Sequence, residues 1–344
     1  MNESATYSES DELNKEMAPE PVVTPDSDET AVAAEDHRDD GDTADLEPKG
    51  RVQDEDDTGK TIPLNHRIAT ENEDALIKTA PISPSLRDPI IRIAKICRPG
   101  AVRQRNEDSC AVFYSETGGH YAILPFGLYV VADGMGGHAN GHVASKMASR
   151  IAAQMVINDI YVPLLQDTGT NQRPIQEVMT DAVKTANMAI YQATPEEDSG
   201  TTLTMALLLG RRLYIAHVGD SRIYLFANDQ LETVSTDHSL VQRLQEVGQL
   251  TAEEAVNYQY RHVLLRALGQ EPDVDVDNYI RRLPPKGRLL LCSDGLCSMI
   301  PDETIYDILK QDLPTTETAE TLFQAAMDAG GYDNITIILV EFSF

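Results

Sequence analysis

Basic residues are scarce in this chain, and their scarcity limits its partners. The 344 residues include 28 Lys and Arg against 56 Asp and Glu, which gives a formal net charge of −28. A protein of this sign repels the phosphates of nucleic acid, so we expect no nucleic-acid partner. The sequence also has no run of about 18 apolar residues, the length that a membrane-spanning helix needs. Its first residues are acidic where a secretory signal would be basic. We therefore expect a cytoplasmic protein that does not contact a membrane.

Cysteine is scarce as well. The four cysteines, Cys97, Cys110, Cys292 and Cys297, are too few for a disulfide framework in a chain of this length. Only Cys292 and Cys297 lie near each other in the sequence, and no second pair has the spacing of zinc ligands. We expect reduced cysteines in the core and no zinc site.

The acidic residues are unevenly distributed. Residues 1–90 contain 24 acidic and 8 basic residues, a net charge of −16, and residues 91–344 carry −12. The N-terminal stretch has one aromatic residue, Tyr7, and too little apolar material to offset the entropy cost of ordering a chain. We therefore predict a disordered acidic tail over residues 1–85 and one folded domain over residues 86–344. Whether the tail only solubilises the protein or also docks and regulates it stays open.

From about residue 88, short apolar runs alternate with helical patterns. Strands are predicted at 90–96, 109–114, 126–132, 202–210, 212–219, 221–227, 287–293 and 334–342. Helices are predicted at 142–160, 175–193, 302–311 and 318–329. The three strands between residues 202 and 227 have the spacing of consecutive hairpins. This order, which is not a regular strand–helix alternation, predicts an α+β fold with antiparallel sheets flanked by helices.

Acidic residues recur at the ends of these apolar runs. The residues in such positions are Glu107, Asp108, Asp133, Asp220, Asp294 and Asp333. A single acid at a strand end is common, because Asp accepts hydrogen bonds from the backbone amides of turns. Clustered carboxylates, however, raise each other's pKa and oppose folding unless a cation is bound. Oxygen ligands without His or Cys favour Mg²⁺ or Mn²⁺, and a glycine after the acid lets a backbone carbonyl approach the ion.

Eight segments then carry a family resemblance. In order along the chain, they are VRQRNED (102–108), VADGMGGH (131–138), SGTT (199–202), HVGDSRIY (217–224), TDHS (236–239), RALG (266–269), CSDGL (292–296) and YDNITIILV (332–340). Together they resemble the PP2C-type metal-dependent protein phosphatases over about residues 90–343, and Met135 after the Asp-Gly pair is similar to the bacterial branch. The resemblance implies a four-layer αββα sandwich with two central, mainly antiparallel sheets. It also implies a metal-dependent phosphatase acting on phosphoserine and phosphothreonine. The alternative is a catalytically silent binding module with the same fold.

The resemblance also implies a site with two tightly bound ions, Mn²⁺ or Mg²⁺. Asp133 would bridge both ions, with the carbonyl of Gly134 and the carboxylate of Glu107 serving one of them. Asp294 and Asp333 would serve the other. Asp220 matches the ligand of a weaker third ion. Behind these ligands, Asp108 would orient a water and Asn334 would help to position Asp333.

Further expectations follow from the same resemblance. Arg103 matches the phosphate-binding arginine, with Arg105 as its nearby competitor. Met135 stands where animal members have a proton-donating His, which leaves the general acid open between His138 and a water. Residues 239–265 resemble a flap beside the active site, the alternative being a packed helical hairpin. The implied partners are phosphoproteins made by a Ser/Thr kinase, and we expect a monomer.

Overall fold

Two antiparallel sheets form the centre of the part of the chain that the structure describes. The computed structural model describes residues 89–118, 124–135, 140–166, 173–193, 199–256 and 258–344. The predicted acidic tail over residues 1–85 lies outside this range. The strands are β1 (Ile90–Arg98), β2 (Ser109–Ser115), β3 (Phe126–Ala132), β4 (Gly134–Met135), β5 (Gly200–Thr201), β6 (Leu203–Leu209), β7 (Arg212–Val218), β8 (Arg222–Ala227), β9 (Gln230–Thr233), β10 (Asp277–Arg282), β11 (Lys286–Cys292) and β12 (Ile335–Ser343). The first sheet has the order β1-β12-β11-β8-β9, and the second has the order β10-β7-β6-β3-β2.

Helices cover the outer face of each sheet. The described α-helices are α1 (Gly141–Val156), α2 (Val162–Leu165), α3 (Ile175–Ala193), α4 (Leu240–Glu246), α5 (Ala252–Val256), α6 (Asp294–Cys297), α7 (Asp302–Lys310) and α8 (Thr315–Asp328), of which α4 and α5 belong to the segment between β9 and β10. The predicted helix at 142–160 is α-helical to Val156 and continues as a π-helical turn over Ile157–Tyr161. In α1, Ala144, Ala148 and Ala152 are fully buried, and such small side chains allow close packing against the neighbouring helix and sheet.

Successive side chains of each strand point to opposite faces of its sheet, so each sheet packs on helices with one face and on the other sheet with the second. Along β3, Leu128 and Val130 pack with the residues of α1 and α3, whereas Tyr129 and Val131 point the opposite way. Those two pack between the sheets against the equally alternating strand β11, where Leu289 and Leu291 face them. The other face of the first sheet packs on α6, α7 and α8. The layers therefore run helix, sheet, sheet, helix, and the predicted α+β sandwich is confirmed.

One predicted connection is wrong. Strands β6 and β7 form the expected hairpin, in which Gly210 adopts a φ of 59°. Strand β8, however, does not pair with β7; it pairs with β11 and β9 in the first sheet. The chain thus crosses between sheets at Gly219, whose φ is 115°. A Cβ on Gly219 would lie 2.5 Å from Thr202 Cβ, so both the turn and the close approach require glycine here.

The sequence prediction also missed strands β9 and β10, which lie at the edges of the sheets. Both are largely exposed and polar, and an edge strand needs no apolar alternation. No described helix has the length and apolar character needed to span a membrane.

Candidate active site

The predicted ligand residues line one cleft. Its volume is about 610 Å³, and its walls include Arg103, Glu107, Asp133, Gly134, Asp220, Asp294 and Asp333. Each acid follows or precedes a strand by at most two residues, so the ends of the two sheets bring them together. Asp108 and Asn334 are absent from the cleft wall and lie behind it. The structure therefore gathers the ligands predicted from the sequence and keeps the two supporting residues apart from them.

The backbone of Asp133 is held by two threonines. The Asp133 amide donates to Thr202 Oγ1 at 3.0 Å. The Asp133 carbonyl accepts from the Thr202 amide and from Thr201 Oγ1, both at 2.8 Å. Both threonines are buried, so these hydrogen bonds are shielded from water. These threonines belong to the segment SGTT of the family resemblance, which does not by itself predict that they hold the Asp133 backbone.

Gly134 must be a glycine because two backbone segments approach it. A Cβ on this residue would lie 2.5 Å from the Glu107 carbonyl oxygen and would also overlap the Gly141 carbonyl. The loop before β2 and the start of α1 thus both touch Gly134. The sequence reasoning explained this glycine by the approach of its carbonyl to an ion. The close packing of the two backbone segments is a second reason why no side chain fits here.

Asn334 ties the Glu107 loop to the start of β12. Its side chain accepts a hydrogen bond from the Glu107 amide at 2.8 Å and donates to the Arg105 carbonyl at 3.0 Å. Its own amide donates to Asp333 Oδ1 at 2.8 Å. The contact with Asp333 is therefore made by the backbone amide, whereas the Asn334 side chain holds the loop that carries Glu107.

Asp108 is buried behind the cleft, with 8 % of its surface exposed. Its Oδ2 accepts from Ser293 Oγ at 2.8 Å and from Thr336 Oγ1 at 2.7 Å. Among the described residues, its Oδ1 has no hydrogen-bond partner. Burial raises the pKa of Asp108 to about 7.

Burial and neighbouring carboxylates also raise the pKa values of other acids in the cleft. Burial raises the pKa of Asp133 well above its usual range, and the neighbouring carboxylates of Asp108 and Asp294 raise it further. Burial and Asp294 raise the pKa of Asp220 in the same way. Burial and Asp333 raise the pKa of Asp294. Burial is the largest cause of each shift, and the clustering of carboxylates that was anticipated from the sequence adds to it.

The turn that carries Asp220 is fastened by His238, a residue that the sequence reasoning missed. The Gly219 amide donates to His238 Nδ1 at 3.1 Å, and the His238 amide donates to the Gly219 carbonyl at 2.7 Å. Because Nδ1 accepts, a neutral His238 carries its proton on Nε2, which lies 3.3 Å from Asp277 Oδ2. The Leu265 amide donates to the His238 carbonyl. His238 thus joins the Asp220 turn to the segment after α5, and the TDHS segment was the signal for it.

Arg103 and Arg105 differ in position. Arg103 lines the cleft and donates to Asp333 Oδ2 at 2.8 Å, and this hydrogen bond raises the pKa of Arg103. About half of its side chain, 49 %, remains exposed. Arg105 instead approaches His142 of α1, with 3.4 Å between Nη1 and Nδ1. Of these two arginines, Arg103 is therefore the one that lines the cleft.

The oxygen donors of the cleft fit a hard cation, although the carboxylate side chains do not point to a common position in this structure. In the described part of the chain, no three His, Cys, Asp or Glu side chains are arranged to hold an ion as they stand. Asp333 is turned to Arg103 instead. The cleft offers carboxylate and carbonyl oxygens, which Mg²⁺ and Mn²⁺ prefer. Ion binding would therefore require side-chain rotation, including a change at the Arg103–Asp333 pair.

The predicted flap lies beside the cleft. Within residues 239–265, α4 ends where Gly248 adopts a φ of 69° and the Gln249 amide caps the Leu244 carbonyl at 2.8 Å. Further along, Arg261, His262 and Leu264 line the cleft.

His138, the candidate proton donor, lies outside the described residues. The four cysteines are free; Cys292 and Cys297 are buried as predicted, whereas Cys97 and Cys110 are only partly buried.

Comparisons with known proteins agree with this geometry. Residues 101–331 match the family described as Protein phosphatase 2C, a range that includes every cleft acid except Asp333. The "Serine/threonine phosphatase stp" of Listeria innocua is 39% identical over 246 residues, covering 70% of this chain and 92% of that protein. The solved serine/threonine phosphatase PstP/Ppp of Mycobacterium tuberculosis is 34% identical with a TM-score of 0.58, covering 74% of this chain and 99% of that one. A PstP catalytic domain in complex with 2 manganese ions is 34% identical with a TM-score of 0.59, covering 74% and 100%.

Proposed function

The chain belongs to the protein phosphatase 2C family and is a serine/threonine protein phosphatase, and we propose that it hydrolyses its substrates with two divalent ions in the cleft. The observation that carries this proposal is the convergence of Glu107, Asp133, Asp294 and Asp333 with Arg103 around one opening. A silent binding module would not need all of these groups, and each is present. The PstP domain that resembles this chain is described with manganese, which supports Mn²⁺ or Mg²⁺ as the ions.

We assign the ligands as the sequence predicted. Asp133 would bridge the two ions, with Glu107 and the Gly134 carbonyl on one side. Asp294 and Asp333 would complete the other side. The rigid backbone of Asp133, clamped by two buried threonines, suits a bridging ligand because a shift of this residue would disturb both ions. Asp220 would hold a weaker third ion.

The chemistry requires no protein nucleophile. Two ions in such a site lower the pKa of a water and offset the charge that develops on the phosphoryl oxygens. Arg103 lines the cleft and has a planar guanidinium with five N–H donors. Once Asp333 turns from Arg103 to an ion, these donors suit a phosphate group and would hold it in line for attack. Asp108 has an acceptor oxygen without a partner among the described residues and would orient a water from behind.

The substrates that we propose are phosphoproteins made by a Ser/Thr kinase, and we propose that the enzyme acts as a monomer. The relatives named serine/threonine phosphatase support the first statement. For the second statement, all of the assigned groups lie within one chain, so the proposed chemistry needs no residue from a second copy.

The test is turnover of p-nitrophenyl phosphate and of a phosphothreonine peptide, with calorimetric counting of bound Mn²⁺. We expect turnover that EDTA abolishes, and loss of both turnover and ion binding in Asp133→Ala. Asp312→Asn, which changes an exposed acid on the loop between α7 and α8, is the matched control and should behave as wild type. Turnover that persists in EDTA would reject the mechanism, and metal binding without turnover would favour the silent module.

A further inference from the structure

The first helix carries two cations, Lys146 and Arg150, and no acidic residue. Helix α1 contains His142, Lys146 and Arg150 but no Asp or Glu, in a chain with twice as many acidic as basic residues. Residues four apart lie on successive turns of one helix face, so these three form a row. Lys146 and Arg150 are exposed, and neither forms an ion pair with a carboxylate among the described residues. Lys146, Arg150 and Arg105, whose Nη1 lies 3.4 Å from His142 Nδ1, make up what we call the cationic row.

The cationic row starts beside the cleft, although its own residues do not line the cleft wall. Helix α1 begins at Gly141, whose backbone lies against Gly134 in the cleft wall. Arg105 belongs to the same loop as Arg103, the proposed phosphate-binding residue. From His142 to Arg150 the helix rises by about 12 Å, at 1.5 Å per residue. The row therefore leads away from the position where a substrate phosphate would lie.

We propose that the cationic row binds acidic side chains or additional phosphate groups that flank the phosphorylated residue of the substrate. This inference rests on the proposed function and narrows its substrate class to phosphoprotein segments with an acidic flank. A length of about 12 Å matches roughly four residues of extended chain. Lys and Arg suit carboxylates and phosphates, whereas the domain as a whole, with a net charge of −12 over residues 91–344, would repel such a segment elsewhere.

The experiment measures KM for four phosphothreonine peptides with the full-length protein and Mn²⁺. Two peptides carry four Glu residues, on the N-terminal or the C-terminal side of the phosphothreonine, and two carry Gln instead. We expect one Glu peptide to have a KM roughly fivefold lower than its Gln counterpart at low salt, as two exposed ion pairs can provide. The preference should vanish in about 0.5 M salt because exposed charges are then screened.

Variants assign the effect to the row. In the double variant Lys146→Gln, Arg150→Gln, the preference should be lost while turnover of p-nitrophenyl phosphate and of the Gln peptides is retained. The matched control is Arg282→Gln, Lys286→Gln, which removes the same charge from exposed residues; Lys286 begins β11, at the opposite end from Asp294. This control should keep the preference.

Four results would overturn the inference. They are equal KM values for the Glu and Gln peptides in wild type, a preference that survives in the double variant, an equal loss in the control, and a lower KM for the Gln peptides in the double variant. The last would show that the row holds the chain's own acidic N-terminal residues. Failure of the proposed function is distinguishable, because wild type would then not hydrolyse p-nitrophenyl phosphate.

Discussion

Replacing Asp108 by Asn should stabilise the metal-free protein at alkaline pH and not at acidic pH. The unfolded chain ionises this carboxyl near its ordinary pKa of 3.8, whereas burial keeps the folded form protonated up to about pH 7. Between these values the folded state binds more protons than the unfolded state. Raising the pH across this window therefore lowers the free energy of unfolding.

The magnitude follows from the two pKa values. The difference between 3.8 and about 7 corresponds to at most about 4 kcal/mol of unfolding free energy, fully lost above pH 7. In Asp108→Asn, the amide oxygen can accept the hydrogen bonds of Ser293 and Thr336 that Oδ2 now accepts. The amide nitrogen would replace Oδ1, which already has no hydrogen-bond partner among the described residues, so this exchange adds little cost. The variant should thus be about as stable as wild type at pH 4.5 and the more stable protein at pH 8.

The assay is urea unfolding in EDTA from pH 4.5 to 8, and the quantity to plot is the difference between variant and wild type. The difference matters because other groups titrate too. Burial lowers the pKa of His217 to about 3, so this residue removes stability as the pH falls below about 6.5 and opposes the carboxylates. Its contribution cancels in the difference. Asp312→Asn should give a flat difference. A flat difference for Asp108→Asn as well would refute the reasoning.

Four further predictions concern the cleft. Arg103→Ala should raise KM for phosphopeptides roughly tenfold with the bound Mn²⁺ unchanged, and Arg105→Ala should do less; the reverse order in steady-state kinetics would reassign the phosphate contact. Asp220→Asn should keep two ions by calorimetry but lower kcat, and unchanged kcat at every Mn²⁺ concentration would make Asp220 a turn residue. Gly134→Ala should lower the free energy of unfolding by about 1–3 kcal/mol because of backbone overlap, and a neutral result in urea would show that the loop yields. His238→Ala should cost about 1–3 kcal/mol by leaving the Gly219 amide unpaired, and His238→Asn should restore part of it; equal losses in urea would contradict the clamp.

Local patterns were enough to predict most of the secondary structure. The buried strands β3, β6, β11 and β12 are nearly continuous apolar runs, and α3 spans the predicted range 175–193. The connection between β7 and β8 was wrong because a short turn looks the same in a hairpin and in a crossing between sheets. Strand β8 pairs with β11, more than 60 residues later, and no local signal encodes that partner.

The acids of the site could be predicted because a carboxylate at the end of an apolar strand is conspicuous, but the residues that hold them could not. Asn334 bonds the Glu107 amide from 227 positions away, and Asp108 accepts from Thr336 across 228. Thr202 and His238 each accept a hydrogen bond from a backbone amide. Every residue except proline has such an amide, so the sequence does not show which one a side chain will bind. A polar residue with one distant backbone partner therefore looks like any other turn residue. The ligands of such a site can be predicted from residue type and position, whereas the rigidity that makes them a site arises only when the two sheets pack.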